Sequence, residues 1–101
     1  MPFEIILAPE AIVDLDGLKA NLRSTVREGL QTHLRYEPTK PSRSRIKRLK
    51  KMSQPQYRLR IGDVRVFYDV PEERVEVLAI VLKSEATEWL AKHGKSEPES
   101  K

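Results

Sequence analysis

Alternating apolar and polar residues predict two strands and a tight turn within residues 57–70, YRLRIGDVRVFYDV. Gly62-Asp63 fits the centre of a type II′ turn, which needs a positive φ at its first central residue. Such a turn places Ile61 opposite Val64, and the following pairs alternate between the two faces of the sheet. The face predicted to join the core then carries Tyr57, Leu59, Ile61, Val64, Val66 and Tyr68.

The reverse face of this hairpin carries Arg58, Arg60, Arg65 and Phe67, an unusual set for a strand pair. The predicted register sets Arg60 across from Arg65, and directly opposed like charges destabilise a sheet unless something neutralises them. Two interpretations follow. In the first, the arginines extend into water, pack on Phe67 or pair with carboxylates of the last helix such as Glu85 or Glu88. In the second, they form a phosphate-binding surface on which Phe67 is an apolar floor for a base.

The residues before the hairpin predict a first strand and two helices. Phe3–Leu7 is β-branched and aromatic, and Pro9 suits the first turn of a helix. Gly17 or the Ser24-Thr25 pair is expected to divide the helical stretch, which ends before Pro38. Apolar residues that recur at every fourth position give this stretch one packing face: Leu18, Leu22, Val26, Leu30 and Leu34.

Beyond the helices, residues 39–45 read as a polar connector and Ile46–Met52 as a short strand. Val75–Leu82 is almost continuously apolar, which predicts a strand in the centre of the sheet with both faces buried. These segments complete a mixed set of helices and strands.

A last helix is predicted from an N-cap at Ser84 to Gly94, with Trp89 on its inner face. Residues 95–101, KSEPESK, are expected to be a disordered tail. With 101 residues and 39% hydrophobic residues, the chain has the size of one domain, which we place at residues 1–94.

The chain has no cysteine, which excludes a disulfide framework, a thiolate metal site and a thiol nucleophile. The N-terminus shows no basic stretch leading into a long apolar run, and no window has the roughly 18 apolar residues of a membrane span. We therefore expect a soluble cytoplasmic protein with no membrane partner.

Positive charge is concentrated in the middle of the chain. Residues 40–65 contain ten basic residues and one acidic residue, Asp63, although the whole chain has a net charge of only +4. Such a segment indicates an anionic partner, with nucleic acid the leading candidate. The simpler alternative is a solvated surface that keeps the protein soluble.

The order of these elements, together with YRLRIGDVRVFYDV and the later VEVLAIVLKSEATEWL, resembles the RelE/ParE superfamily of bacterial and archaeal type II toxins. The resemblance covers residues 3 to about 92. It implies an α+β fold in which a curved, mainly antiparallel sheet holds an N-terminal helical hairpin on one side and ends in a short C-terminal helix.

The resemblance implies one of two activities. RelE-like members bind the ribosomal A site and cut mRNA there without a metal or other cofactor, by attack of the ribose 2′-hydroxyl on the adjacent phosphate. ParE-like members inhibit DNA gyrase, and a cognate antitoxin silences members of both kinds. We expect an mRNA endoribonuclease that inhibits translation, with gyrase inhibition or a catalytically weakened nucleic-acid-binding module as the alternatives.

The resemblance also assigns the site. Arg58 and Arg60 match catalytic or phosphate-binding positions of RelE-like toxins, Arg65 matches the arginine on the scissile phosphate, and Lys83 matches a basic residue after the last strand. The basic connector, with the hairpin phenylalanine, is expected to bind RNA through Arg45, Lys47, Arg48, Lys50, Lys51 and Phe67.

Two positions depart from the RelE pattern. Ser84-Glu85 and Trp89-Leu90 stand where relatives carry a further arginine and a tyrosine or histidine. Because arginine remains protonated, the matched arginines are poor proton acceptors. Lys83 or Glu85, with Glu88 as a further possibility, is therefore expected to move the proton.

Overall fold

The computed structural model describes residues 2–98, and no helix in that range is long and apolar enough to cross a bilayer. The strands of this part are β1 Glu4–Leu7, β2 Ile46–Arg48, β3 Met52–Gln54, β4 Tyr57–Ile61, β5 Val64–Asp69, β6 Arg74–Leu82 and β7 Lys95–Ser96. The helices are α1 Pro9–Asp16, α2 Ala20–Leu34 and α3 Ala86–His93, and a 3₁₀ turn at Lys83–Glu85 precedes α3.

The main sheet has the strand order β1-β6-β5-β4-β2. β1 runs parallel to β6, and the other neighbours in this sheet are antiparallel. The predicted α+β fold with a mainly antiparallel sheet is confirmed, as is the position of β6 inside the sheet. The prediction that both faces of β6 are buried is wrong: Val75 and Val77 are buried in the core, whereas Glu76 and Leu78 between and after them are only half-buried, because the core covers one face of this strand. The predicted hairpin register is also confirmed from Tyr57 opposite Tyr68 to Ile61 opposite Val64, with Gly62 at a φ of 55°.

The core lies between one face of the sheet and the two N-terminal helices. α2 buries Val26, Leu30 and Leu34 there, because these residues share one helix face. All six hairpin residues predicted for this face belong to the core or pack against it. The buried hydroxyl of Tyr68 donates a hydrogen bond to the Pro38 carbonyl at 2.7 Å, which ties the connector to the sheet.

The helical stretch divides at Gly17, which is one of the two breaks that the sequence offered. α1 ends at Asp16 and α2 begins at Ala20, whereas Ser24-Thr25 lies inside α2, where the Thr25 hydroxyl donates to the Asn21 carbonyl. The alternative break at Ser24-Thr25 is therefore wrong. The backbone of α2 continues through these residues because their polar side chains do not interrupt its hydrogen bonds.

Three predictions after residue 46 need correction. The expected strand Ile46–Met52 is interrupted after Arg48 by a turn in which Lys51 has a φ of 64°. Ser84 is not an N-cap, because it lies in the 3₁₀ turn, and α3 begins at Ala86 without a side-chain cap.

The third correction concerns the expected tail. Lys95–Ser96 forms β7, which pairs with β3, and the backbone N–H of Glu97 donates to the Lys51 carbonyl at 2.9 Å. The prediction of disorder is wrong for this segment, because β3 offers it a strand partner. Residues 99–101 of the predicted tail lie outside the described residues.

Candidate nucleic-acid interface

The register of β4 and β5 collects cations on the sheet face opposite α1 and α2. Arg60 lies directly across from Arg65, and Arg58 lies across from Phe67, in the next residue pair on the same face of the sheet. β2 extends the cluster, because Lys47 pairs with Arg58 on its other side. We call this surface, formed by Lys47, Arg58, Arg60 and Arg65, the basic face.

Carboxylates of residues 2–98 do not neutralise the basic face. No carboxylate oxygen of the described residues lies within 4.0 Å of the nitrogens of Arg58, Arg60 or Arg65. The interpretation in which the last helix neutralises the arginines is therefore not supported. Glu88 instead pairs with Lys92 on its own helix at 2.9 Å.

Arg58 is a partly buried cation of the basic face. It is half-buried, and its Nε atom is buried without a hydrogen-bond partner among residues 2–98. Burial lowers the pKa of this guanidinium, and the nearby charges of Arg65 and Arg60 lower it further. A buried donor without a partner costs free energy, so an anion that accepted a hydrogen bond from Nε would be held favourably.

Arg65 is positioned differently from its neighbours. Only 7% of its surface is exposed, and its Nη1 atom donates to the carbonyls of Gly62 at 2.8 Å and Val64 at 3.1 Å. These bonds brace the hairpin turn. Arg65 contributes charge to the basic face, whereas the exposed side chain of Arg60 is free to contact a partner.

Phe67 does not form an open floor on this face. Its exposed fraction is 0%, because the Trp89 ring stacks on it with centroids 4.9 Å apart and an interplanar angle of 6°. The prediction of an accessible phenylalanine is wrong, and the cause is α3, which covers this part of the sheet. The predicted inward orientation of Trp89 is confirmed, and His93 packs beside it with ring centroids 5.3 Å apart.

The other basic residues predicted to bind RNA have unequal roles. Arg48 lies over the Tyr57 ring, 5.4 Å from its centroid, and its Nη1 donates to the carbonyls of Leu49 and Gln56. This guanidinium stabilises the start of β4. Lys50 and Lys51 are exposed in the turn after β2, outside the sheet.

Lys83 and Glu85 are exposed in the 3₁₀ turn after β6. The backbone N–H of Lys83 donates to the Asp63 carbonyl at 2.7 Å, so the turn lies beside the β4–β5 connection. The Glu85 side chain lines a depression that also includes Val81, the β6 residue paired with Arg65. Lys83 lines a separate depression beside Asp63, so the two candidates for proton transfer do not share one pocket.

Asp69 is a supporting residue that sequence reasoning missed. Its buried carboxylate accepts hydrogen bonds from the Gln54 Nε2 at 2.8 Å and the Gln56 backbone N–H at 2.7 Å. Gln56 Oε1 in turn accepts from the Val70 N–H at 2.9 Å. These bonds fix the bend just before Arg58, and nothing in the sequence except an acidic residue at a strand end marked them.

Arg45 connects the basic face with the edge of the sheet. The Arg60 backbone N–H donates to the Arg45 carbonyl at 2.9 Å, and Arg45 Nη1 donates to the Arg60 carbonyl at 3.3 Å. The position of Arg45 and Lys47 beside β4 was not predicted, because the pairing partner of β2 is not encoded in its own residues.

Comparison with solved structures supports the same fold. The archaeal RelE-RelB complex from Pyrococcus horikoshii contains a chain similar to this one, with 22% identity, a TM-score of 0.66 and coverage of 82% of this chain and 97% of that one. The RelBE2 toxin-antitoxin complex from Mycobacterium tuberculosis gives 23% identity, a TM-score of 0.61 and coverage of 81% and 99%. The RelB-RelE complex from Methanococcus jannaschii gives 15% identity, a TM-score of 0.62 and coverage of 83% and 96%.

No curated protein matches the sequence. Residues 5–87, however, match the family described as the ParE toxin of the type II toxin-antitoxin system parDE. This match spans most of the chain and agrees with the structural likeness to RelE chains. The chain therefore belongs to the ParE toxin family, within the RelE/ParE superfamily of type II toxins.

Proposed function

We propose that this toxin is a ribosome-dependent mRNA endoribonuclease whose basic face holds the scissile phosphate. The observation that carries the proposal is the set of guanidinium groups at 58, 60 and 65, placed on two successive residue pairs of one sheet face with no carboxylate partner among the described residues. Guanidinium groups match phosphate oxygens through paired donors. Arg58 and Arg60 supply the contacts, and Arg65 adds charge from beneath.

The proposed reaction needs no group beyond the RNA and protein side chains. The ribose 2′-oxygen attacks phosphorus, the bond from phosphorus to the 5′-oxygen of the next nucleotide breaks, and the products end in a 2′,3′-cyclic phosphate and a 5′-hydroxyl. Negative charge accumulates on the non-bridging oxygens in the transition state. Preorganised cations that face this charge lower the barrier.

Glu85 and Lys83 are the proposed proton carriers. The carboxylate of Glu85 accepts the 2′-hydroxyl proton, because its depression reaches Val81 beside Arg65. The ammonium of Lys83 donates a proton to the departing 5′-oxygen. Both side chains are exposed, so the bound RNA on the ribosome must complete their alignment.

The partners follow from the same proposal. Two of the solved chains similar to this one come from RelB-RelE complexes, and we propose that a cognate antitoxin silences this toxin as well. Its targets are the ribosomal A site and the mRNA there, which places its action in the cytoplasm.

Primer extension on a reporter mRNA after induced expression tests the proposal. Wild-type protein should give cuts within codons, and Arg60→Ala should abolish them, because the exposed Arg60 side chain does not brace the turn as Arg65 does. Arg27→Ala removes one positive charge from α2 and should leave the cuts unchanged. An absence of cuts with active, growth-inhibiting protein would overturn the ribonuclease proposal.

A second candidate function is inhibition of DNA gyrase, favoured by the match to the ParE toxin family over residues 5–87. In this case the purified toxin would reduce supercoiling of a relaxed plasmid by gyrase. That result without cuts in the reporter mRNA would replace the first proposal by the second.

A further inference from the structure

A groove of about 410 Å³ lies between the end of α2 and the connector that leads into β2. His33 and Tyr36 form its helical side, and Lys40 and Arg45 form its connector side. The groove lies at the β2 edge of the sheet, outside the rungs that carry the basic face. Its lining combines an aromatic ring, an imidazole and two cations, which is the chemistry of a nucleotide site.

Tyr36 is the aromatic residue of this groove, and 65% of its surface is exposed. The other two tyrosines stack on each other at the sheet, with ring centroids 5.4 Å apart. An exposed ring beside cations offers a stacking surface for any base, since every base has a π-face.

Arg45 makes the groove continuous with the basic face. Its Nη1 atom donates to the Arg60 carbonyl at 3.3 Å, although its side chain also lines the groove. The connector is held in place because Ser42 Oγ accepts hydrogen bonds from the backbone N–H groups of Arg45 at 3.1 Å and Ile46 at 3.0 Å. Arg45 therefore contacts β4 at Arg60 and also lines the groove.

The remaining charges in the groove are compatible with an uncharged base and one phosphate. The one carboxylate among the lining residues, that of Glu37, pairs with Lys40 at 3.3 Å, which reduces its repulsion of a phosphate. Burial and the Arg45 charge lower the pKa of His33. Its imidazole is therefore neutral at pH 7 and has both a donor and an acceptor for a base edge.

We propose that this groove binds a nucleotide of single-stranded RNA that flanks the phosphate held on the basic face, with the base on Tyr36 and its phosphate at Arg45. The inference rests on the proposed function, which it extends from the cut itself to the path of the flanking strand. It assigns Tyr36 and Arg45 to substrate binding, apart from bond cleavage.

Fluorescence anisotropy with a labelled ten-nucleotide single-stranded RNA of mixed sequence tests this site on the full chain. Tyr36→Ala should weaken binding by about 5- to 150-fold, the range expected for loss of a base-stacking contact. Tyr36→Trp should retain the affinity. Val13→Ala, which truncates another exposed apolar residue on α1, should bind like wild type.

Crosslinking locates the contact independently. RNA that carries 4-thiouridine should crosslink to the peptide containing Tyr36, and Arg45→Ala should reduce the yield. Unchanged affinity of Tyr36→Ala, or no RNA binding by the wild-type chain, would overturn the proposal.

The two proposals fail in different ways. Loss of RNA affinity in Tyr36→Ala, without any cutting of mRNA by the wild type, would support the groove and overturn the ribonuclease function. Cutting of mRNA by the wild type, with unchanged RNA affinity in Tyr36→Ala, would support the ribonuclease function and overturn the groove proposal.

Discussion

Alternate residues of the same two strands build the two faces of the β4–β5 hairpin, yet the faces differ in packing and in charge. On the face toward α2, Leu59 and Val66 are completely buried among apolar neighbours. On the other face, Arg58 is half-buried and its Nε has no hydrogen-bond partner within residues 2–98, and Arg60 is exposed opposite Arg65. One face packs in the core, and the other carries a cluster of like charges of which only Arg65 braces the hairpin turn.

This difference indicates why the arginines are there. Apolar burial supplies most of the favourable free energy of folding. Burial on the core face can therefore offset the repulsion between like charges on the other face of the same strands. Groups that break the rules of sheet stability without a structural gain are expected at functional sites. The basic face fits this description, except for Arg65, which also braces the turn.

The largest effect on stability is expected from the core face. Leu59→Ala should lower the free energy of unfolding by about 2–5 kcal/mol, because it leaves a cavity under α2. Arg60→Ala, the next residue of the same strand, should change it by no more than about 0.5 kcal/mol. Urea unfolding monitored by circular dichroism measures both changes. Equal losses of unfolding free energy in the two variants would contradict the contrast between the faces.

An intermediate effect is expected where α3 covers the basic side of the sheet. Trp89→Ala should lower the free energy of unfolding by about 1–3 kcal/mol, because it removes the stacked pair and exposes the Phe67 ring. Trp89→Phe keeps an aromatic partner and should lose less. Guanidinium unfolding checks the series, and a Trp89→Ala variant as stable as wild type would show that α3 does not seal this face.

On the basic face itself, a stabilising change is expected. Arg58→Met should leave the free energy of unfolding unchanged or raise it by up to about 1 kcal/mol, since it removes a buried unpartnered donor and one of three neighbouring like charges. Differential scanning calorimetry provides the comparison. A clear loss of stability would mean that Arg58 serves the fold after all.

The smallest effect on stability concerns His33, which lines the groove at the end of α2. Because its pKa is lowered in the folded chain, the unfolded state binds a proton more readily as the pH falls through about 6.5. Wild type should therefore lose stability between pH 7 and pH 5 slightly faster than His33→Gln. Unfolding midpoints measured at several pH values would contradict this if the two curves stayed parallel.

Local patterns were enough to predict the hairpin, because alternation and the Gly62-Asp63 turn determine its register without help from distant residues. The place of β6 inside the sheet was predictable from its apolar run, whereas the sequence left two possible breaks in the helical stretch, Gly17 and Ser24-Thr25. Phe67 shows the limit of this reasoning. Its burial depends on Trp89 in a helix 22 residues later, and no local pattern encodes that contact.

The candidate site was predictable to a similar degree. Arg58, Arg60 and Arg65 followed from the hairpin register, whereas the addition of Lys47 depended on which strand β2 would join. The structural role of Arg48 and the groove around Tyr36 also arise from packing between segments distant in sequence. The sequence therefore predicted the arginines of the hairpin but not which residues of other segments lie beside them.

The salt dependence of RNA binding tests the central claim, that the basic face holds phosphate, most directly. For the full chain and a ten-nucleotide single-stranded RNA, the logarithm of the association constant should fall linearly with the logarithm of the salt concentration. Arg58→Met, which should remain fully folded, is predicted to bind more weakly and to reduce the magnitude of the slope by about 0.7, the value for one lost phosphate contact on a single strand. The same affinity and the same slope in Arg58→Met and wild type would contradict the claim.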